Sequence, residues 1–196
     1  MNLRLFVALD PPDLVRRRLT ALQERLKAAS GRRAGEVKWV QVENVHLTLQ
    51  FLGAVPEDRV EVVKAAMATA AASTQPLHLE LRGVGGFPSA RRARVLWAGI
   101  DGDIAPLAKL VAALGKHLGP LGFPPEDRPF SPHLTLGRSR DSGGAPGLAA
   151  ALAQSSDVHA APWRASELVL FQSHLSPAGP RYEPLARAPL GGSGAA

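Results

Sequence analysis

The stretches His46-Leu47-Thr48-Leu49 and His133-Leu134-Thr135-Leu136 are the same tetrapeptide, each set in an alternating apolar run. Alternation of this kind predicts a β-strand, on which residues i and i+2 share a face. Each His therefore sides with its Thr, and the leucines take the opposite side. With the leucines in the core, each strand would hold an imidazole and a hydroxyl on its polar face. Two such strands brought together would converge two imidazoles and two hydroxyls on one small volume.

The repetition extends outward from the tetrapeptide. Arg4-Leu5-Phe6-Val7-Ala8-Leu9-Asp10 opens the chain as a strand ending in Asp, and Val95-Leu96-Trp97-Ala98-Gly99-Ile100-Asp101 does the same further on. After each come a helical pattern, a loop and one of the motif strands. A single repeated tetrapeptide is weak evidence, because short Leu-rich words recur by chance. Matched words in matched order point instead to two related halves facing each other across a pseudo-twofold axis.

Leu14, Val15, Leu19, Leu22 and Leu26 recur at helical spacing after Asp10-Pro11-Pro12-Asp13, a helix start with acids at the positive end of the dipole. Further helices are expected over 56–72, 104–118 and, briefly, 147–154. Strands are expected over 45–52 (ending at Gly53), 77–81, 93–100, 133–138 and 167–174. Gly83 to Pro88 reads as a turn and Gly179 to Tyr182 as a turn leading into a last strand, residues 30–37 and 119–131 as loops. The pattern is α+β: one bilobal domain over 1–190, with antiparallel sheets flanked by helices around a central cleft, and a disordered tail over 191–196.

The chain has 196 residues, 45% of them hydrophobic, enough for one substantial core. It contains no apolar run long enough to span a bilayer and no signal-peptide pattern, so the expectation is a cytoplasmic protein without membrane contact, monomeric by default. The absence of Cys removes disulfides, thiolate metal sites and a Cys nucleophile. A formal charge of +6 favours an anionic partner.

Imidazole titrates near neutrality, so one ring can accept a proton while another donates one at the same pH. A cyclic phosphodiester needs both services, one for the attacking water and one for the departing ribose oxygen. Thr48 and Thr135 can donate hydrogen bonds to non-bridging oxygens. Arg138 offers a fork of donors for phosphate. Its odd offset from His133 puts it on the wrong face by alternation, unless a bulge or strand end intervenes. With imidazolium and guanidinium supplying positive charge, this scheme requires no metal and no cofactor. Metal ligation by the two histidines is disfavoured, since neither has an Asp, Glu or Cys at ligand spacing. No Gly-x-Ser-x-Gly elbow occurs. His78, His117, His159 and His174 read as ordinary structural residues. Trp39, Trp97 and Trp163 read as core anchors, and the basic clusters at Arg16-Arg17-Arg18 and Arg91-Arg92-Ala93-Arg94 as solvated faces by default, with contact to an RNA backbone the alternative.

Together with Asn44 to Gly53, Arg128 to Arg138 and Gly179-Pro180-Arg181-Tyr182, these words resemble the 2H phosphoesterases, within them the RNA 2′,3′-cyclic phosphodiesterases also called 2′-5′ RNA ligases. The resemblance runs from residue 4 to about 182. It implies a bilobal fold and hydrolysis of an RNA terminal 2′,3′-cyclic phosphate to a 2′-phosphate, with a reversible 2′-5′ ligation as a weaker activity. The implied phosphate site is His46, Thr48, His133, Thr135 and Arg138. It further implies that His46 donates to the leaving oxygen and His133 takes the proton from water. Phe51, Phe130 and Tyr182 are candidates for a base or ribose contact, with core packing the competing role. Two alternatives stay open: an RNA-end or nucleotide-binding module without catalysis, and a phosphodiesterase acting on another cyclic or 2′-5′-linked nucleotide.

Overall fold

The computed structural model describes residues 1–177 and 179–191, with the backbone alone for 159 and 160. Nine strands and four helices occur among the described residues: β1 (Asn2–Leu9), α1 (Asp13–Ser30), β2 (Val37–Trp39), β3 (Leu47–Pro56), α2 (Val60–Ala72), β4 (Leu77–Phe87), β5 (Val95–Gly102), α3 (Ile104–Leu118), β6 (His133–Ser139), α4 (Ala149–Gln154), β7 (His159–Ala165), β8 (Glu167–Ser176) and β9 (Gly179–Pro189). They form two sheets, in the orders β3-β1-β8-β9 and β2-β6-β5-β4-β7. Every pairing is antiparallel. The α+β class with two antiparallel sheets is as expected from the sequence. None of the described helices is long and apolar enough to cross a membrane.

The repeat is visible in the pairing. β1 pairs with the first motif strand β3, and β5 pairs with the second, β6. The helix that follows each opening strand crosses to the other side: α1 leaves the four-stranded sheet and packs on β7 and α4, whereas α3 leaves the five-stranded sheet and packs on α2 and β3. Leu19, Leu22 and Leu26 of α1 and Leu107, Leu110, Leu114 and Leu118 of α3 are the buried stripes that do this. The exchange knits the apolar residues of both sheets into one network that includes Leu5, Leu47, Leu96 and Leu134. A smaller cluster of Phe6, Ala8, Val169 and Phe171 covers the other face of the four-stranded sheet, with Tyr182 against it.

Several local expectations are corrected. Gly83 to Pro88 is not a turn, because β4 runs on through a register shift beyond Leu81 to Phe87. The glycines serve packing here: a Cβ on Gly85 would come within 2.3 Å of the Trp97 ring and one on Gly86 within 2.4 Å of Ala93. Gly53 likewise does not end β3, which continues to Pro56 with Gly53 at φ +68°. Gly179 to Tyr182 belong to β9, paired with β8. β7 carried no recognised strand signal. Of the three tryptophans, Trp163 is buried, while Trp39 and Trp97 are half-buried. Residues 192–196 of the expected tail, and the His159 side chain, lie outside the described residues.

Candidate active site

Both motif strands place their leucines in the core and leave His and Thr half-buried on the other face. Leu47 and Leu134 are fully buried, whereas His46, Thr48, His133 and Thr135 are partly accessible. The two strands come from different sheets and lie against each other, with Cα atoms within 8 Å. Between them opens a cavity of about 1270 Å³ whose lining includes His46, Thr48, His133, Thr135 and Arg138, together with Phe51, Phe130 and Tyr182.

A β-bulge brings Arg138 into this cavity. Thr135 pairs with Trp97 and Gly137 with Leu96, which leaves Leu136 as an extra residue on β6. The extra residue reverses the alternation, so Arg138 returns to the face of His133 and Thr135. The carbonyl of Leu136 is held from two sides, by the Val40 N–H at 2.9 Å and by Gln23 Nε2 at 2.9 Å. Gln23 lies on α1, is only 5% exposed, and also donates to the Val40 carbonyl at 2.8 Å. The first motif strand is built in the same way. Thr48 pairs with Ala8 and Gln50 with Val7, so Leu49 is the extra residue and Phe51 swings to the cleft face beside Phe6.

Each imidazole is oriented by the backbone two residues before it. His133 Nδ1 lies 2.8 Å from the Ser131 carbonyl, which can only accept, so Nδ1 carries hydrogen and Nε2 is left for chemistry. The His46 ring is hydrogen-bonded to the backbone of Asn44. Around His46 the aromatic cluster closes: its ring stacks on Phe6 at 4.5 Å and meets Tyr182 edge-on at 4.8 Å. His133 meets Phe87 edge-on at 5.0 Å.

Burial among these rings lowers the His46 pKa from 6.5 to about 4, with the positive charges of Arg16 and Arg138 adding to the effect against the Asn44 hydrogen bond. His46 is therefore neutral at pH 7 in the free protein. To act as a proton donor the ring would first have to be protonated. That Arg138, on the other sheet, acts electrostatically on His46 and on Tyr182 follows from the closeness of the two strands.

Arg16 is a residue that motif reading missed. Its Nη1 donates to the carbonyls of Val42 at 2.6 Å and Val45 at 3.1 Å, and its Nη2 to Asp10 at the end of β1. One guanidinium thus ties α1 and β1 to the turn leading into His46. Lys38 is another. It stands directly opposite Arg138 in the β2–β6 register and lines the same cavity. Two like charges facing each other on neighbouring strands repel. The arrangement is favourable once an anion sits between them. Only the pairing register could have revealed this neighbour, because Lys38 belongs to no motif.

The hydroxyls of Thr48 and Thr135 make no hydrogen bond among the described residues and are free to donate to a ligand. Nor do three His, Asp or Glu side chains among the described residues gather into a metal-binding group. His78 and His174 sit at the surface near Asp103 (3.6 Å) and Glu183 (2.9 Å). Phe130 packs partly into the core, whereas Phe51 is 54% exposed.

A cleft between two antiparallel sheets, with a His-x-Thr strand on each wall, defines a two-histidine phosphoesterase fold. The sequence model of the family described as LigT like Phosphoesterase matches residues 9–97 and 99–182, and the chain belongs to that family. The RNA 2′,3′-cyclic phosphodiesterase of Methanothermobacter thermautotrophicus is 33% identical over 182 residues, covering 93% of this chain and 96% of that one. A Thermus thermophilus protein, TT0787, has a crystal structure that superposes with a TM-score of 0.79 at 30% identity, covering 97% and 99% of the two chains. The crystal structure of E. coli LigT complexed with 3′-AMP superposes with a TM-score of 0.69 at 25% identity, again covering 97% and 99%.

Proposed function

We propose that this chain hydrolyses the 2′,3′-cyclic phosphate at the end of an RNA strand, leaving a 2′-phosphate. The observation that carries the reading is the convergence of His46, Thr48, His133, Thr135 and Arg138, drawn from two sheets, on one cation-lined cavity. The names and coverage of the relatives give the substrate class. An RNA substrate suits a cytoplasmic enzyme, and one chain supplies every group the scheme needs.

Water attacks phosphorus while His133 Nε2 takes its proton. The bond from phosphorus to the ribose 3′ oxygen breaks, and His46 delivers a proton to that oxygen. Thr48, Thr135 and Arg138 donate to the non-bridging oxygens, where charge accumulates. His46 takes its proton from solvent as substrate binds: an anionic phosphodiester beside the ring counters the desolvation of the imidazolium and the push of Arg138. No step calls for a metal. If a 5′-hydroxyl replaces water with the same bond breaking, the product is a 2′-5′ linkage, and because no water is consumed that ligation would be reversible.

The low pKa of His46 favours a second reading, in which neutral His46 is the base and His133 the acid. Leaving groups separate the two. An aryl ester leaves without help from an acid, so loss of the acid histidine is masked on a nitrophenyl phosphodiester, and loss of the base is not. In the first reading His46→Ala retains activity on the aryl ester and His133→Ala loses it; the second reverses this.

The primary test is incubation with RNA ending in a 2′,3′-cyclic phosphate, followed by product identification. Release of a 2′-phosphate is expected, with turnover reduced on the order of a hundredfold or more by either His→Ala change. A 3′-phosphate product would refute the stated bond cleavage. Tight binding without turnover would make the chain an RNA-end binding module instead. Turnover confined to other cyclic or 2′-5′-linked nucleotides would change the substrate and keep the chemistry.

A further inference from the structure

The cavity is larger than its catalytic end requires. At about 1270 Å³ it exceeds the roughly 300–1,000 Å³ typical of small-molecule sites. The additional space lies along α3, where Ala108, Val111, Ala112 and Gly115 line it. These recur at i, i+3, i+4 and i+7, so they form one stripe of the helix, separate from the buried leucine stripe that holds α3 to the core. The facing wall is the 119–132 loop, which comes close enough that a Cβ on Gly115 would lie 3.2 Å from Pro125.

Charge gives the second, independent indication. Lys116, the next position on the same helical stripe, and Arg128, three residues beyond Pro125 on the loop, both line the cavity. Neither makes an ion pair or a side-chain hydrogen bond among the described residues, so both are available to an anion in the cavity. Glu126 is the one carboxylate in the described lining. A small-residue wall that admits a flat ring, bounded by two unneutralised cations, suits a nucleoside followed by a phosphate.

Resting on the function proposed above, we infer that the α3 end of the cavity is a second subsite, taking a nucleoside and phosphodiester on the 5′ side of the reacting cyclic phosphate, with Lys116 and Arg128 as its phosphate contacts. The enzyme therefore distinguishes a strand end from a free cyclic nucleotide. The phosphate at the histidines is common to both substrates, and only the strand reaches the second pair of cations.

The test compares adenosine 2′,3′-cyclic phosphate with a short oligoadenylate ending in a 2′,3′-cyclic phosphate, using wild type, Lys116→Ala, Arg128→Ala and the double variant. The double variant is expected to lose tenfold or more in kcat/KM on the oligonucleotide and to be unchanged on the mononucleotide. Equal loss on both substrates, or no loss on either, overturns the subsite. Binding of a fluorescent oligoadenylate with a terminal 2′-phosphate supplies a readout independent of turnover. Removing both cations frees one phosphate and should lower the slope of log affinity against log salt by roughly 0.7. An unchanged slope overturns the subsite even if the enzyme is active, and an altered slope in a protein without turnover would sustain the subsite while the proposed reaction fails.

Discussion

Phe51 and Arg138 occupy the same place in the two halves of the molecule. Each lies five residues beyond its motif histidine and just past a one-residue bulge, at Leu49 and at Leu136, that turns it to the cleft face. The pseudo-symmetry of the scaffold is thus broken by side-chain chemistry at one position. One wall presents a half-exposed ring to the cavity and the other a guanidinium, which the proposed function would give to a base or ribose and to the phosphate.

Arg138→Ala is expected to lower kcat/KM on the cyclic phosphate by about ten- to a hundredfold, since hydrogen bonds to charged groups contribute about 1.5–3 kcal/mol. Arg138→Lys should recover part of this, because it restores charge without the planar fork. Phe51→Ala should raise KM about tenfold with kcat little changed, in line with about 1–3 kcal/mol for stacking a base. Steady-state kinetics on the three variants checks the division of labour, and a kcat effect at Phe51 would contradict it.

His46 should titrate near pH 4 in the free protein, and its pKa should rise when inorganic phosphate or a 2′-phosphate product occupies the cleft. The ring signals followed by NMR with and without the anion measure both values. Stability follows with a definite sign. Because the folded pKa lies below the unfolded value of about 6.5, the folded state resists protonation. The stabilisation is complete above pH 6.5 and is lost as pH falls toward 4, by up to about 3 kcal/mol. Urea unfolding of wild type and His46→Asn across this range should show the acid sensitivity in the wild type and its attenuation in the variant.

Arg16→Ala removes the guanidinium that ties Asp10 to the Val42 and Val45 carbonyls. A loss of about 2–3 kcal/mol in stability is expected, from partners left unsatisfied in a half-buried setting. The His46 pKa should rise as well, because the Arg16 charge lowers it. Arg16→Lys should keep the pKa low while losing the two-carbonyl grip. Denaturation and NMR titration together separate charge from scaffold.

Gly85→Ala places a Cβ within 2.3 Å of the Trp97 ring, which lies across from Thr135 in the β5–β6 pairing. Overpacking of this kind costs about 1–3 kcal/mol. The variant should melt lower and lose activity. Gly35→Ala, where an added Cβ meets nothing within 4 Å, is the control expected to be near neutral.

How far the sequence reaches is clearest at the two motif strands. Alternation alone places Leu47 and Leu134 inward and His46, Thr48, His133 and Thr135 outward, because side-chain direction on a strand is a local property of period two. The repeated order of strand, helix and motif strand likewise foretells two halves. Tertiary structure decided what period two cannot reach. The bulges that turn Arg138 and Phe51 into the cleft depend on strand partners and, at Leu136, on Gln23 from a helix over a hundred residues away in sequence. Lys38 joins the site only through its register with Arg138, and Arg16 only through carbonyls that α1 meets after folding. The glycines of β4 pass for a turn in sequence, since nothing local says that Trp97 needs the room. The neutral state of His46 is set by Phe6, Phe171 and Tyr182 closing around it, an environment made by three strands of one sheet.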